Sequence, residues 1–285
     1  MLSSPVYDST SGLILVGNSN GSLFEDPYTL GGNSSYNFVG KAQSVGTAIP
    51  AAPIVDSTAE EVFAASYNCS SPILAQYGVA AGSSAGTSSS GWTGTSVTAT
   101  MGKNMTAPYN GAFDNNYLTS SNQTGYMYFC GNLTGAATPA LWRVAITSGT
   151  MASTNDGKSF QLVASGNTGT SYDCTPLTEF YNSTQAIDYL FVGVKNSGVP
   201  SGCGSSTCVM SFSLPTGYGT PSSSVSFTTG VVAATAIPAG AAGSASNSMS
   251  GIIIDNNSSA VGASQIYLGN LFGGTGVQMS QSALH

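Results

Sequence analysis

Five of the chain's twelve acidic residues stand at matching places in a recurring phrase. Asp8 follows Pro5-Val6-Tyr7 and precedes Ser9-Thr10, and Asp56 follows Pro53-Ile54-Val55 and precedes Ser57-Thr58. Looser copies place Asp114 in the stretch 110–116, Glu179 in 175–184 and Asp255 in 251–259. Two kinds of chemistry fit such acids. A carboxylate behind a short strand accepts bonds from backbone N–H groups one or two residues onward and so organises a turn. A ring of acids around a central channel would instead offer several oxygens to calcium or to a sugar, since hard cations need many oxygens at once. Asp-Ser-Thr and Asp-Asn-Asn are sequences that favour the turn, and the turn reading is taken here.

Other catalytic groups are scarce. The one histidine, His285, is the last residue, which removes Ser-His-Asp and Cys-His arrangements and most zinc sites. Glycosidases need only two acids at set distances, so Glu60-Glu61, Glu25-Asp26 and Asp188 are considered and read as solvated rather than catalytic. Trp142 lies within an apolar run and is expected in the core. Trp92 stands alone among Gly, Ser and Thr, in a segment read as a loop, and is the residue singled out for ligand binding. Of the five cysteines, Cys203 and Cys208 flank a Gly/Ser turn and are expected to form a hairpin-closing disulfide. Cys130 and Cys174 are a further pairing that leaves Cys69 over. Disulfides imply an oxidising compartment, and the chain is expected to be secreted or displayed on a cell surface.

Composition narrows the class. Charged residues make up 6% of the chain, against roughly a quarter in an ordinary soluble domain. The hydrophobic fraction of 41% excludes a solvated disordered chain. Net charge is −7, and Lys41, Lys103, Arg143, Lys158 and Lys195 are scattered singly. Nothing here supplies the clustered cations that displace counterions from nucleic acid or meet an anionic membrane. No run reaches the roughly 18 apolar residues of a membrane span. The start, Met-Leu-Ser-Ser-Pro, has neither the basic region nor the apolar core of a signal peptide, and Met1 is expected to be an internal start in a longer protein. Asn-x-Ser/Thr recurs, for instance at Asn20, Asn68 and Asn122, and marks surface turns.

The elements that must hold these residues are strands. After each acid comes an apolar run ending in a small residue: 13–17, 62–65, 126–131, 189–194 and 266–269. Third runs follow at 22–24, 73–77, 141–146, 209–214 and 277–279, and fourth runs at 97–100, 160–163 and 224–227. All are β-branched or aromatic runs of strand length bounded by Gly and Asn. Amphipathic helices are not evident, and 80–94 and 239–250 read as Gly/Ala/Ser-rich loops. Three or four strands per unit, at a spacing near the roughly 40–50 residues of a propeller blade before insertions, predict an all-β β-propeller of about five blades. The chain reads as one domain, 1–285, with blades near 4–50, 51–108, 109–172, 173–249 and 250–285.

Pro-x-x-Asp-Ser-Thr followed by an apolar run and Gly resembles the blades of YVTN-type and quinoprotein-type β-propellers, secreted bacterial ones above all. The stretch from Cys174-Thr-Pro-Leu-Thr-Glu-Phe to Gly262-Ala-Ser-Gln-Ile-Tyr resembles their terminal blades. The quinoprotein enzymes' Trp-docking signatures and calcium ligand sets are not recognisable, so no cofactor is carried over. Such propellers often have more blades than five, so the chain is either a five-bladed ring or part of one. The function expected is a non-enzymatic extracellular binding or scaffold module that presents loops to protein or carbohydrate partners. A carboxylate-dependent glycoside-active propeller and a purely structural surface protein are the alternatives.

Overall fold

The computed structural model describes residues 2–27, 43–44, 48–66, 73–79, 92–100, 111–132, 138–155, 159–162, 174–194, 208–214, 231–236, 250–256, 264–269 and 276–280. The architecture is all-β: five antiparallel sheets, each drawn from one contiguous stretch of chain. The first sheet runs β1 (Val6–Asp8), β2 (Leu13–Gly17), β3 (Ser22–Pro27) and β4 (Gln43–Ser44). The second holds β5 (Ile54–Asp56), β6 (Glu61–Ser66), β7 (Ile73–Val79) and β8 (Trp92–Thr100). The third is built from β9 (Ala112–Phe113), β10 (Gly125–Asn132) and β11 (Pro139–Thr147), with β12 (Thr150–Met151) and β13 (Ser159–Gln161) both pairing β11. In the fourth lie β14 (Thr178–Asn182), β15 (Ile187–Val194), β16 (Cys208–Leu214) and β17 (Val231–Ala236). The fifth has β18 (Ile253–Asp255), β19 (Gln265–Gly269) and β20 (Gly276–Ser280). Within each sheet the strands meander, every one antiparallel to its neighbour.

The sheets stack face to face in chain order, and side-chain alternation shows how. Successive residues of a strand point to opposite faces. In β6, Val62 and Ala64 pack with Leu13, Leu15 and Leu23 of the first sheet, whereas Phe63 and Ala65 pack with Phe113, Met127 and Phe129 of the third. In β10, Tyr126, Tyr128 and Cys130 turn the other way, onto Leu190, Val192 and Met210 of the fourth sheet. Tyr189, Phe191 and Val209 then face Ile252, Ile266 and Leu268 of the fifth. A sheet covered on both sides needs apolar residues at every position. That explains why β10 is buried from end to end while β19 alternates buried and half-buried residues. Among the described residues, no core cluster joins the fifth sheet to the first.

Several strand positions depart from expectation. Trp92 is not in a loop: its backbone opens β8 and pairs with Val79. The β-propensity of its aromatic ring prevails over the Gly and Ser around it. The fourth strand of the fourth sheet lies at Val231–Ala236, while the run expected at 224–227 falls outside the described residues. A five-residue helix, α1 (Asn115–Thr119), follows β9 and is too short for any periodicity to announce it. Trp142 is buried as expected, and its indole N–H donates to the Asn132 carbonyl at 3.2 Å.

A disulfide joins Cys130 on β10 to Cys174, which bridges Val194 of β15, with Cα atoms 6.5 Å apart. It therefore ties the third sheet to the fourth. Cys208 is also disulfide-bonded, whereas Cys203 and Cys69 lie outside the described residues. No helix among the described residues is long and apolar enough to cross a membrane. Because the Cys130–Cys174 bridge spans 44 residues, its loss releases considerable chain entropy. The double variant C130A/C174A is expected to lose about 2–4 kcal/mol of stability, measured by urea unfolding.

Candidate functional site

Four of the five acids stand at or just past the ends of first strands, and Asp8, Asp56 and Asp114 accept hydrogen bonds from the turn or helix that follows. Asp8 is fully buried and accepts from Thr10 N at 3.1 Å, Ser11 N at 3.3 Å and Ser11 Oγ at 2.5 Å. A fourth donor comes from the next sheet, Ser57 Oγ at 2.5 Å. Burial works to raise the Asp8 pKa, but these donors together hold it below the ordinary aspartate value. Asp56 accepts from Thr58 N at 2.8 Å and Ala59 N at 3.0 Å, and its other oxygen takes the Tyr117 hydroxyl of α1 at 2.5 Å. Each of these acids thus shapes its own turn and also pins the following sheet.

Asp114 caps α1. Its Oδ1 accepts from Tyr117 N at 2.9 Å and from Tyr126 N at 3.1 Å. Gly125 makes room for this, since a Cβ there would lie 2.4 Å from Asp114 Oδ1. Asp255 ends β18, opposite Gln265, with its side chain exposed.

Glu179 requires a correction. It lies inside β14, paired with Leu190, and forms no turn. The turn residue of the fourth sheet is Asn182, whose Oδ1 accepts from Thr184 N and Gln185 N, both at 3.0 Å. Backbone geometry confirms the alignment. The residue four places after Asp8, Asp56 and Asn182 is Gly12, Glu60 and Ala186, with φ of 73°, 55° and 52°. The phrase therefore ends in a left-handed residue, which glycine alone adopts without cost.

A second recurrent device escaped the sequence reading. Ser3, Thr175 and Ser250 precede the first strands of their sheets, and each clamps a glycine at or next to the end of the second strand. Their backbone N–H groups donate to the carbonyls of Gly17, Gly193 and Gly269 at 2.8, 2.9 and 2.9 Å. Their hydroxyl oxygens accept from the same glycines' N–H groups at 2.9, 2.9 and 2.7 Å. The signal was present as a small hydroxyl residue one or two places ahead of Pro5 and Pro176 and directly before Gly251. At Gly17 the glycine is also required for space, because a Cβ would lie 2.4 Å from the Ile49 side chain.

Two further polar groups lie at sheet seams. Gln76, almost fully buried on β7, donates to the Gly149 carbonyl and accepts from Met151 N at 2.6 Å, joining the second sheet to the third. Glu61, directly opposite Asp56, is pushed up to about 7, chiefly by burial and also by that neighbouring charge, against a bond from Gln76.

A concave surface lies on the outer face of the fifth sheet. Ile253, Tyr267 and Gln278 stand side by side in register there, next to the paired Gly269 and Gly276. Gln278 Nε2 donates to the Tyr267 hydroxyl at 3.4 Å, and Ile253 is 68% exposed. A Cβ on Gly276 would meet nothing within 4 Å, so this floor is bare backbone open to a ligand. No group of three or more His, Cys, Asp or Glu residues suited to a metal ion occurs among the described residues. No protein-family model, curated protein or solved structure matches the chain.

The turn geometry carries a direct test. Ala186→Gly removes the cost of a left-handed alanine and is expected to raise stability by roughly 0.5–1 kcal/mol, read from the thermal midpoint. Ala152→Gly, at a residue without positive φ, serves as the control and is expected to gain nothing.

Proposed function

We propose that the chain is an arc of a β-propeller acting as a non-enzymatic extracellular binding module, with carbohydrate as the favoured ligand. Three features support the propeller frame: consecutive sheets packed face to face, antiparallel meanders within each sheet, and first strands that approach one another, β1 against β5 and β9 against β14. The disulfide between the third and fourth sheets supports an oxidising, extracellular setting.

The observation that carries the binding reading is the trough on the fifth sheet. A tyrosine ring beside a glutamine amide, over a glycine floor, offers an apolar face and uncharged hydrogen-bonding groups together. Those are the complements of a sugar ring, and no charge need be desolvated to seat one. Tyr267 takes over the role the sequence suggested for Trp92. The glycoside-active alternative would call on Glu60-Glu61, Glu25-Asp26 or Asp188, which has Glu179 as its neighbouring acid, but Asp188 is only 1% exposed and beyond a substrate's reach.

Screening the intact chain against a glycan array, followed by calorimetry with the best soluble oligosaccharide, tests this. Tyr267→Ala is expected to weaken binding about tenfold, or about 1.4 kcal/mol, with the melting temperature unchanged. Absence of any glycan response would leave the structural-protein reading in its place. Turnover in a hydrolase substrate panel that stops on Glu179→Gln would establish the enzymatic one.

A further inference from the structure

The seam between the third and fourth sheets gathers three carboxyl groups, those of Asp114 and Asp188 buried and that of Glu179 half-buried. Asp188 on β15 is 1% exposed, and its Oδ2 accepts from Asn115 N of α1 at 2.7 Å. Glu179 on β14 lies in contact with Asp188, and Asp114 is close enough to act on both through its charge. Three buried oxygens there have no hydrogen-bond donor: Glu179 Oε1, Asp188 Oδ1 and Asp114 Oδ2. Asp114 and Asp188 are both more than nine-tenths buried, so these are acceptors stripped of water with nothing to accept. Among the described residues the nearby cation is Arg143 of β11, itself fully buried; its guanidinium lies 4.4 Å from the Tyr126 ring centre and acts on Asp114 through its charge.

Two ionised carboxylates cannot bond to each other, but one proton between them makes a donor and an acceptor. We propose that Glu179 and Asp188, neighbours in the fourth sheet, share a single proton at this seam, and that the shared proton, by settling Asp188 against Asn115, makes the seam a joint that tightens in mildly acidic surroundings and loosens as the pH rises. The other groups facing the pair are Asp114 at the head of α1, Arg143 on β11, Tyr126 and Tyr128 on β10, and Tyr181 beside Asp188 on β14. Asp114 opposes ionisation of the pair, while the charge of Arg143 acts on Asp114. Burial, the mutual contact and Asp114 push the Glu179 carboxyl well up, and burial pushes Asp188 up as well.

The direction follows from proton counting. A group that holds its proton more tightly folded than unfolded adds stability at low pH. It loses that contribution as the pH climbs above its unfolded value, here 4.5 for Glu179. On ionisation the proton leaves to solvent, and Glu179 and Asp188 then repel each other beside Asp114. The Asn115 amide, held by Asp188, is the local reporter.

Urea midpoints of the full chain from about pH 5 to about pH 8.5 test the joint. The wild-type midpoint is expected to fall across this range. Glu179→Gln, whose amide donates to Asp188 at every pH, is expected to flatten the slope. Over the same range the Asn115 amide is expected to exchange about tenfold faster in the wild type, after correction for intrinsic rate, and to stay unchanged in the variant. Equal slopes in the two proteins, or a wild-type midpoint that rises with pH, would overturn the proposal. Should the variant fail to fold, refolding the wild type at pH 7 in buffers of different ionisation heat gives an independent reading. Because Glu61 also gains proton affinity on folding, the reading is made in Glu61→Gln as well; uptake of about one proton is expected to remain there, and uptake of none in that variant overturns the proposal.

Discussion

Burial of a sheet on both faces governs this molecule. A sheet with one wet side can place its polar side chains in water; the second, third and fourth sheets have none to spare. Their strands must therefore be apolar at consecutive positions, with odd residues serving one neighbour and even residues the other, as Phe63 and Val62 do. Any polar group at a seam must find its partner across that seam. Ser57 to Asp8, Tyr117 to Asp56, Asn115 to Asp188 and Thr178 to the Ile252 carbonyl each meet this demand at a different junction. Their net contributions are modest singly, but each left unmade would cost a full desolvation penalty. Sheet order is thereby written into hydrogen bonding as well as into packing.

The same acids consequently do two jobs. Asp8 and Asp56 spend one part of their bonding capacity on their own turns and another on the adjacent sheet. A carboxylate so engaged has little left for a ligand, which is why the binding reading rests on the outer face of the fifth sheet. That face carries a polar ladder, Gln265 with Ser280 and Gln278 with Tyr267.

The apolar runs and their order along the chain were legible because pleating imposes a short, local period. The recurring phrase was legible for the same reason, being a strand end and its turn. The reading failed where it matched a charge instead of a geometry. In the fourth sheet Asn182 performs the turn, since an amide oxygen accepts backbone N–H bonds as a carboxylate does, and Glu179 drew attention only by being acidic. The left-handed residue four places on would have settled the alignment, but Glu60 and Ala186 conceal it by not being glycine. Partners across seams could not be read at all. Tyr117 and Asp56 are 61 residues apart, and only the stacking brings them together. The Cys130–Cys174 bond also crosses a seam, and it is present as the sequence analysis had paired those two cysteines, whereas the Cys203–Cys208 pairing, suggested by nearness in sequence, involves a residue outside those described.

That bond has a mechanical consequence. A chain of sheets joined in series and pulled from its ends extends by releasing them one after another. The covalent link between β10 and the segment before β14 withholds the 44 residues it encloses, roughly 150 Å of contour. β11, β12 and β13 lie inside that enclosure. Under tension, the middle of the array would remain short while its two flanks pay out.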